Sequence, residues 1–196
     1  LGFYRTSWTD PRALYLAIKA GTPSASHAHM DVGSFILEAD GVRWALDLGM
    51  QGYHAMEARG LNIWDGQPGS DRWRIFRYHN RAHNTLTVDG MEQAVRGRAA
   101  FDAAATDPRQ GRFQLALDSL YVGQLQAATR VFTVGRETGV TIADRVRGSE
   151  KDRQVRWTLV TPGTLKAEGD RAGWLEKDGQ RLRIEVKSDV PVRLQC

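Results

Sequence analysis

Cysteine is almost absent: the single one is Cys196, the last residue of the 196. An internal disulfide is impossible, and so is a zinc site made of several cysteines. A transition-metal site would have to draw on histidine and carboxylates. Long apolar runs are missing as well. No stretch of about 18 or more apolar residues occurs, which excludes a transmembrane helix and gives no reason to expect a membrane partner. Helical periodicity is nearly absent. The opening LGFYRTSWTD has no initiating methionine and no signal-peptide pattern, so the chain reads as a fragment of a longer one.

What is present is ordinary globular composition, 41% hydrophobic and 26% charged, with enough residues for a sizeable core. The net charge is +4, and 22 of the 27 basic residues are arginine. A basic surface favours polyanions such as nucleic acids or acidic polysaccharides, or it is simply a solvated face. Arg72, Arg74, Arg77 and Arg81 cluster in sequence, but no nucleic-acid motif accompanies them.

Alternating apolar and polar residues dominate, punctuated by Asp40-Gly41, Asp89-Gly90 and Asp178-Gly179, the signature of two-residue hairpin turns. Strands are expected at 14–19, 113–117, 128–134, 139–144 and 155–160, with a short turn at 136–138 closed by Gly139. Loops are expected at 20–26, 51–74, 94–109 and 147–153. The longest carries Tyr53, His54 and Trp64, and loops of that length are more often functional than filler. The expected fold is all-β, a multi-stranded antiparallel β-sandwich in a single domain 1–196, with a division near 110 as the alternative.

The first hairpin can be laid out residue by residue. With Asp40-Gly41 as the turn, Ala39 faces Val42, Glu38 faces Arg43, Leu37 faces Trp44, Phe35 faces Leu46 and Ser34 faces Asp47. One face, from Phe35 to Leu46, is wholly apolar and belongs to the core. Extending the ladder backwards brings the SHAHMDVGSF stretch beside Asp47. Strict alternation, however, places His29 and Asp47 on opposite faces. They meet only if the strand breaks between Asp31 and Ser34, and Gly33 is placed for that. His83, in RAHNTLTVDG, opens another strand. Two histidines and an aspartate suit a tetrahedral zinc ion with one further position. The same residues also read as hydrogen-bonded strand-end histidines and a turn-capping aspartate, and that is the commoner outcome. His54 and His79 read as polar loop or edge residues. Trp44 and most of the other tryptophans read as core.

HAHMDVGSFILEADGVRWALDLG followed by WRIFRYHNRAHNTLTVDGMEQ resembles the C-terminal β-sandwich region of the heparinase II/III-like polysaccharide lyases, a family that includes oligoalginate lyases. The strong match covers roughly 27–93. FYRTSWTDPRALYLAIKAG is similar to the family's lead-in strand, and beyond about 110 only the strand rhythm agrees. The resemblance implies zinc held by His29, Asp47 and His83, with His27 facing the substrate and taking part in catalysis. It implies β-elimination on a uronic-acid-containing polysaccharide in the periplasm. It also implies an N-terminal α/α toroid, absent here, that supplies the principal tyrosine, so the isolated chain should be inactive. A rival function is a non-catalytic carbohydrate-binding β-sandwich with a structural metal, using Trp64 and Trp73 as an aromatic face. A ligand-free structural sandwich is the third.

Overall fold

The computed structural model describes residues 1–107, 109–148 and 152–196. In chain order the strands are β1 (Gly2–Arg5), β2 (Tyr15–Ile18), β3 (Phe35–Ala39), β4 (Val42–Ala45), β5 (Leu86–Val88), β6 (Phe101–Thr106), β7 (Gln110–Ala116), β8 (Ala127–Gly135), β9 (Gly139–Arg147), β10 (Val155–Trp157), β11 (Thr164–Ala167), β12 (Ala172–Lys177) and β13 (Gln180–Glu185). Two short helices, α1 (Tyr53–Glu57) and α2 (Asp71–Arg74), lie between β4 and β5. Among the described residues no helix is long and apolar enough to cross a membrane.

Two four-stranded antiparallel sheets, β1-β2-β3-β4 and β6-β7-β8-β9, bury their apolar rows against each other. Tyr4, Leu16, Ile18, Phe35 and Ala45 come from the first, and Phe113, Leu115, Phe132 and Val134 from the second. Leu86 and Val88 of β5, which pairs with β10, complete this core. Each such large side chain contributes about 1.5–3 kcal/mol by leaving water. This core draws on both sides of residue 110, the place where a division was the alternative. A third sheet, β11-β12-β13, packs through Leu175 onto Val42 and Trp44. The sandwich read from the alternation is the fold observed.

All three Asp-Gly pairs adopt the positive φ angles of type I′ turns: 55° and 80° at Asp40-Gly41, 49° and 73° at Asp89-Gly90, 51° and 73° at Asp178-Gly179. The first and third close hairpins. The second reverses the chain, yet β5 pairs with the distant β10. Gly135 pairs with Gly139 across the turn at 136–138.

Several expectations need correction. The β3–β4 register holds for Ala39–Val42 and Glu38–Arg43 but then shifts: Leu37 pairs with Ala45, leaving Trp44 as a bulge. That bulge lets Ala45 join the main core while Trp44 turns to the third sheet. The stretch 94–109, expected as loop, contains β6, whose exposed FDAAAT carries no alternation to betray it. The stretch 51–74 contains α1 and α2. Of the other tryptophans only Trp73 is buried, at 1% exposure; Trp174 is half-buried, and Trp8, Trp64 and Trp157 are exposed. In 147–153, residues 149–151 lie outside the described residues.

Candidate metal centre and aromatic cluster

The segment from His27 to Ser34 links β2 to β3, and its backbone is pinned from several directions. Lys19 and residues 33–34 exchange hydrogen bonds, Gly33 N to Lys19 O at 2.8 Å and Lys19 N to Ser34 O at 2.9 Å. Ser34 N donates to Asp31 O at 3.0 Å, closing a turn in which Gly33 has φ +83°. This is the break that strict alternation demanded. A Cβ at Gly33 would have the wrong φ and would press on Thr85 Oγ1 at 3.3 Å. Thr85 Oγ1 and Gln93 Nε2 both donate to Val32 O at 2.9 Å. Met30 N donates to Tyr78 O at 2.8 Å. The buried Arg72 donates to Ala28 O at 2.6 Å and Ile63 O at 3.0 Å, tying this segment to the 51–74 stretch.

Held in this way, His29 stacks on Tyr78 with ring centres 4.3 Å apart, and its ring centre lies 5.4 Å from that of His83. The donor atoms of His29, Asp31 and His83, all buried, lie within 4.8 Å of one another. Asp47 joins through His83: its Oδ2 accepts from His83 Nδ1 at 2.7 Å, while its Oδ1 accepts from Gly49 N at 2.7 Å. Both Asp47 oxygens are thus engaged within the protein, one on His83 and one capping the turn at Gly49, and Asp31 rather than Asp47 stands among the mutually close donors. The Gly33 turn sets His29 beside His83, and Asp47 meets them through its bond to His83.

Asn84 fixes His83. Its Nδ2 donates to Phe35 O at 2.7 Å and Leu46 O at 3.0 Å, and its Oδ1 accepts from Val160 N at 2.5 Å. The side chain thus bridges β3 and β4 where their ladder ends, and seats the residues beside His83 and Asp47.

The electrostatics suit a cation. Burial pushes His29 down to about 4, assisted by the charge of His83 and opposed by Asp31 and Asp47. The imidazole is then neutral at neutral pH, as a ligand must be. Burial raises Asp47, but the His83 hydrogen bond and charge, the Gly49 N–H and His29 together bring it below the usual carboxylate value. Asp31 Oδ2 pairs with Lys19 Nζ at 2.6 Å. Asp31 Oδ1 and His83 Nε2 are buried with no hydrogen-bond partner among the described residues. Leaving such groups bare costs about 1–3 kcal/mol each, and a divalent cation would satisfy both. Two imidazoles and the Asp31 carboxylate, with Asp47 holding His83 through its Nδ1, fit a zinc ion with a further position open. Asp31 stands in the His-x-His-x-Asp motif itself, and that position is the one sequence signal that marks it as a donor.

His27 stands apart from these donors. It is exposed, with φ +61°, and its Nδ1 lies 2.9 Å from the Tyr53 hydroxyl. Trp64, 59% exposed, sets its edge against Tyr53 at 5.1 Å and His27 at 5.8 Å, and its Nε1 donates to Glu57 at 2.8 Å. Trp73 belongs instead to a buried cluster with Met30, Met56, Ile63 and Tyr78 that supports this surface. His54 is exposed on α1, as expected. His79 is buried, against expectation; its Nδ1 accepts from Arg81 N at 3.2 Å, and burial with the nearby Arg81 charge pushes it down to about 4. The clustered arginines are engaged locally: Arg72 as above, Arg74 with Asp71, Arg77 with Leu48 O and Arg81 with Gly90 O.

A family model described as heparinase II/III-like, C-terminal, matches residues 1–195. Among solved structures, heparan sulfate lyase HepC from Pedobacter heparinus is 20% identical with TM-score 0.71, over 96% of this chain and 28% of that one. A heparinase III is 14% identical with TM-score 0.67, over 90% and 26% respectively. The chain therefore spans under a third of the length of these relatives, and the likeness to them is one of fold. No curated protein matches. With its model matched along nearly the whole chain, the protein belongs to the heparinase II/III-like C-terminal family.

Proposed function

We propose that this chain is the C-terminal part of a lyase that cleaves a uronic-acid-containing polysaccharide by β-elimination, in the periplasm. His29, His83 and Asp31 hold a zinc ion, and Asp47, the carboxylate the family resemblance implies, holds His83 in place through Nδ1. The observation that carries this reading is one exposed proton-sharing pair, His27 Nδ1 and the Tyr53 hydroxyl of α1 at 2.9 Å, with His27 opening the pinned segment that carries the buried donors His29 and Asp31. In such an elimination the proton at C5 of the uronate is removed and the leaving glycosidic oxygen is protonated. A histidine and a tyrosine that share one proton can deliver or accept it at a bound sugar. His27 is reachable from solvent, and the Tyr53 contact orients its ring. The bound cation supplies fixed positive charge that keeps the two histidine-bearing segments together. Elimination consumes no water, so no residue need activate one. The remaining catalytic groups, including a principal tyrosine, come from an N-terminal helical toroid, and the isolated chain is inactive.

The test uses the full-length protein on a panel of uronate polymers, following unsaturated products by ultraviolet absorbance. His27→Ala should lower the rate by about 10²- to 10⁴-fold, the usual contribution of a positioned acid or base. Inactivity of the full-length protein on every uronate polymer would overturn the reading. Elemental analysis of the chain 1–196, with His29→Ala and His83→Ala beside it, checks the metal. The exposed Trp64 also suits a non-catalytic saccharide-binding module, which predicts binding by the isolated chain and indifference to His27→Ala; the burial of Trp73 removes half of that aromatic face.

A further inference from the structure

Along β8 the alternate positions Ala128, Arg130, Phe132 and Val134 all point into the core and all are buried. An arginine in an apolar row is costly to bury unless each of its nitrogens is hydrogen-bonded. Here they are. Nε and Nη2 form a fork on Asp144 of β9, at 2.7 and 2.8 Å. Nη1 donates to Gly33 O at 2.8 Å and Asn84 O at 2.9 Å. These two carbonyls are not arbitrary. Gly33 makes the turn that starts at Asp31 and sets His29, and Asn84 directly follows His83. The second sheet thus reaches across the sandwich and holds both donor-bearing segments with one nitrogen.

We propose that Arg130 is a positioning residue for the cation site, fixing the spacing between the His29–Asp31 segment and His83 and so setting the affinity for a divalent metal. The proposal rests on reading that cluster as a cation site. The planar fork is essential to it. A lysine offers donors from one nitrogen and cannot satisfy the Asp144 carboxylate and both carbonyls at once.

The chain 1–196 is titrated with zinc in competition with a chromogenic chelator, and with cobalt to read the coordination spectrum. Arg130→Lys, and the paired change Arg130→Met with Asp144→Leu, which removes both buried charges, should each weaken zinc by roughly 10- to 100-fold, as loss of an orienting partner does at metal sites. The cobalt spectrum should change with them. Phe113→Leu, in the same core but away from the donors, serves as a control for lost stability and should leave the affinity unaltered at a comparable fall in melting temperature. Zinc affinity equal to wild type in both Arg130 variants, or an equal loss in Phe113→Leu, overturns the proposal. If the His83→Ala chain takes up zinc as tightly as wild type, the site reading itself fails, and the role of Arg130 with it.

Discussion

Asn84→Ala is the most informative single change. The fully buried side chain makes three hydrogen bonds, to Phe35 O, Leu46 O and Val160 N, at 2.7, 3.0 and 2.5 Å. Truncation leaves two carbonyls and one N–H to find other partners inside the protein. Each orphaned group costs about 1–3 kcal/mol; relaxation and a trapped water recover some of this, so a loss of about 3–5 kcal/mol is expected. Against a total stability of about 5–15 kcal/mol that is a large share. For a chain of this size it corresponds to a fall in melting temperature on the order of 10 °C. The measurement is urea unfolding of the chain in the presence of chelator, so that cation binding does not mask the difference. Thr85→Val is the milder comparison: it removes the bond to Val32 O, which keeps its Gln93 donor, and the hydroxyl contact with Tyr121, and should cost about 1–2 kcal/mol. The urea midpoint should fall with little change in slope. If Asn84→Ala loses no more than Thr85→Val, the view of Asn84 as the tie between the two donor-bearing strands is wrong.

Gly33→Ala should destabilise by about 1–2 kcal/mol, because an L-residue is held in a left-handed conformation, with the added methyl pressing on Thr85 Oγ1; it should also weaken zinc, measured by chelator competition. In the metal-free chain, His79 is buried neutral with its pKa pushed down to about 4. The unfolded chain therefore takes up protons first as pH falls below about 6.5, and stability should decline from there toward pH 4. His79→Asn should make that part of the profile shallower in a series of urea melts, the buried His29 contributing the rest; an unchanged slope would contradict the assignment. In the full-length protein Tyr53→Phe should reduce turnover by about 10-fold or more if the hydroxyl takes part in proton transfer, with little effect on melting temperature, since its partner His27 is exposed; a wild-type rate would remove Tyr53 from the chemistry.

The fold was legible because alternation and Asp-Gly turns are local signals: the alternation survives at β8 and β13, and the Asp-Gly turns at the ends of β3 and β12. What was missed had a physical reason each time. β6 lies exposed, so no burial pattern marked FDAAAT. The Trp44 bulge arises from competition between two cores for adjacent residues, which no single strand reveals. His83 and His29 were visible as motif residues. Asp31 was visible but unassigned, because only the three-dimensional turn at Gly33 shows that its second oxygen has no partner. Arg130 left the clearest unused mark, a charge at an inward position between Ala128 and Phe132. Its meaning needed the carbonyls of Gly33 and Asn84, 97 and 46 positions away in sequence.

The bulge between β3 and β4 makes chain length itself part of the site. From the Asp40-Gly41 tip to Asp47, the strand carries one residue more than its neighbour can match. That surplus inverts the side on which everything downstream emerges. Deleting any one residue from 44 to 46 would hand the carboxylate to the opposite side of the sheet with every functional group chemically intact. Extra residues at the tip would merely lengthen a protruding end. Length variation should thus be tolerated at one end of this hairpin and ruinous a few residues further on.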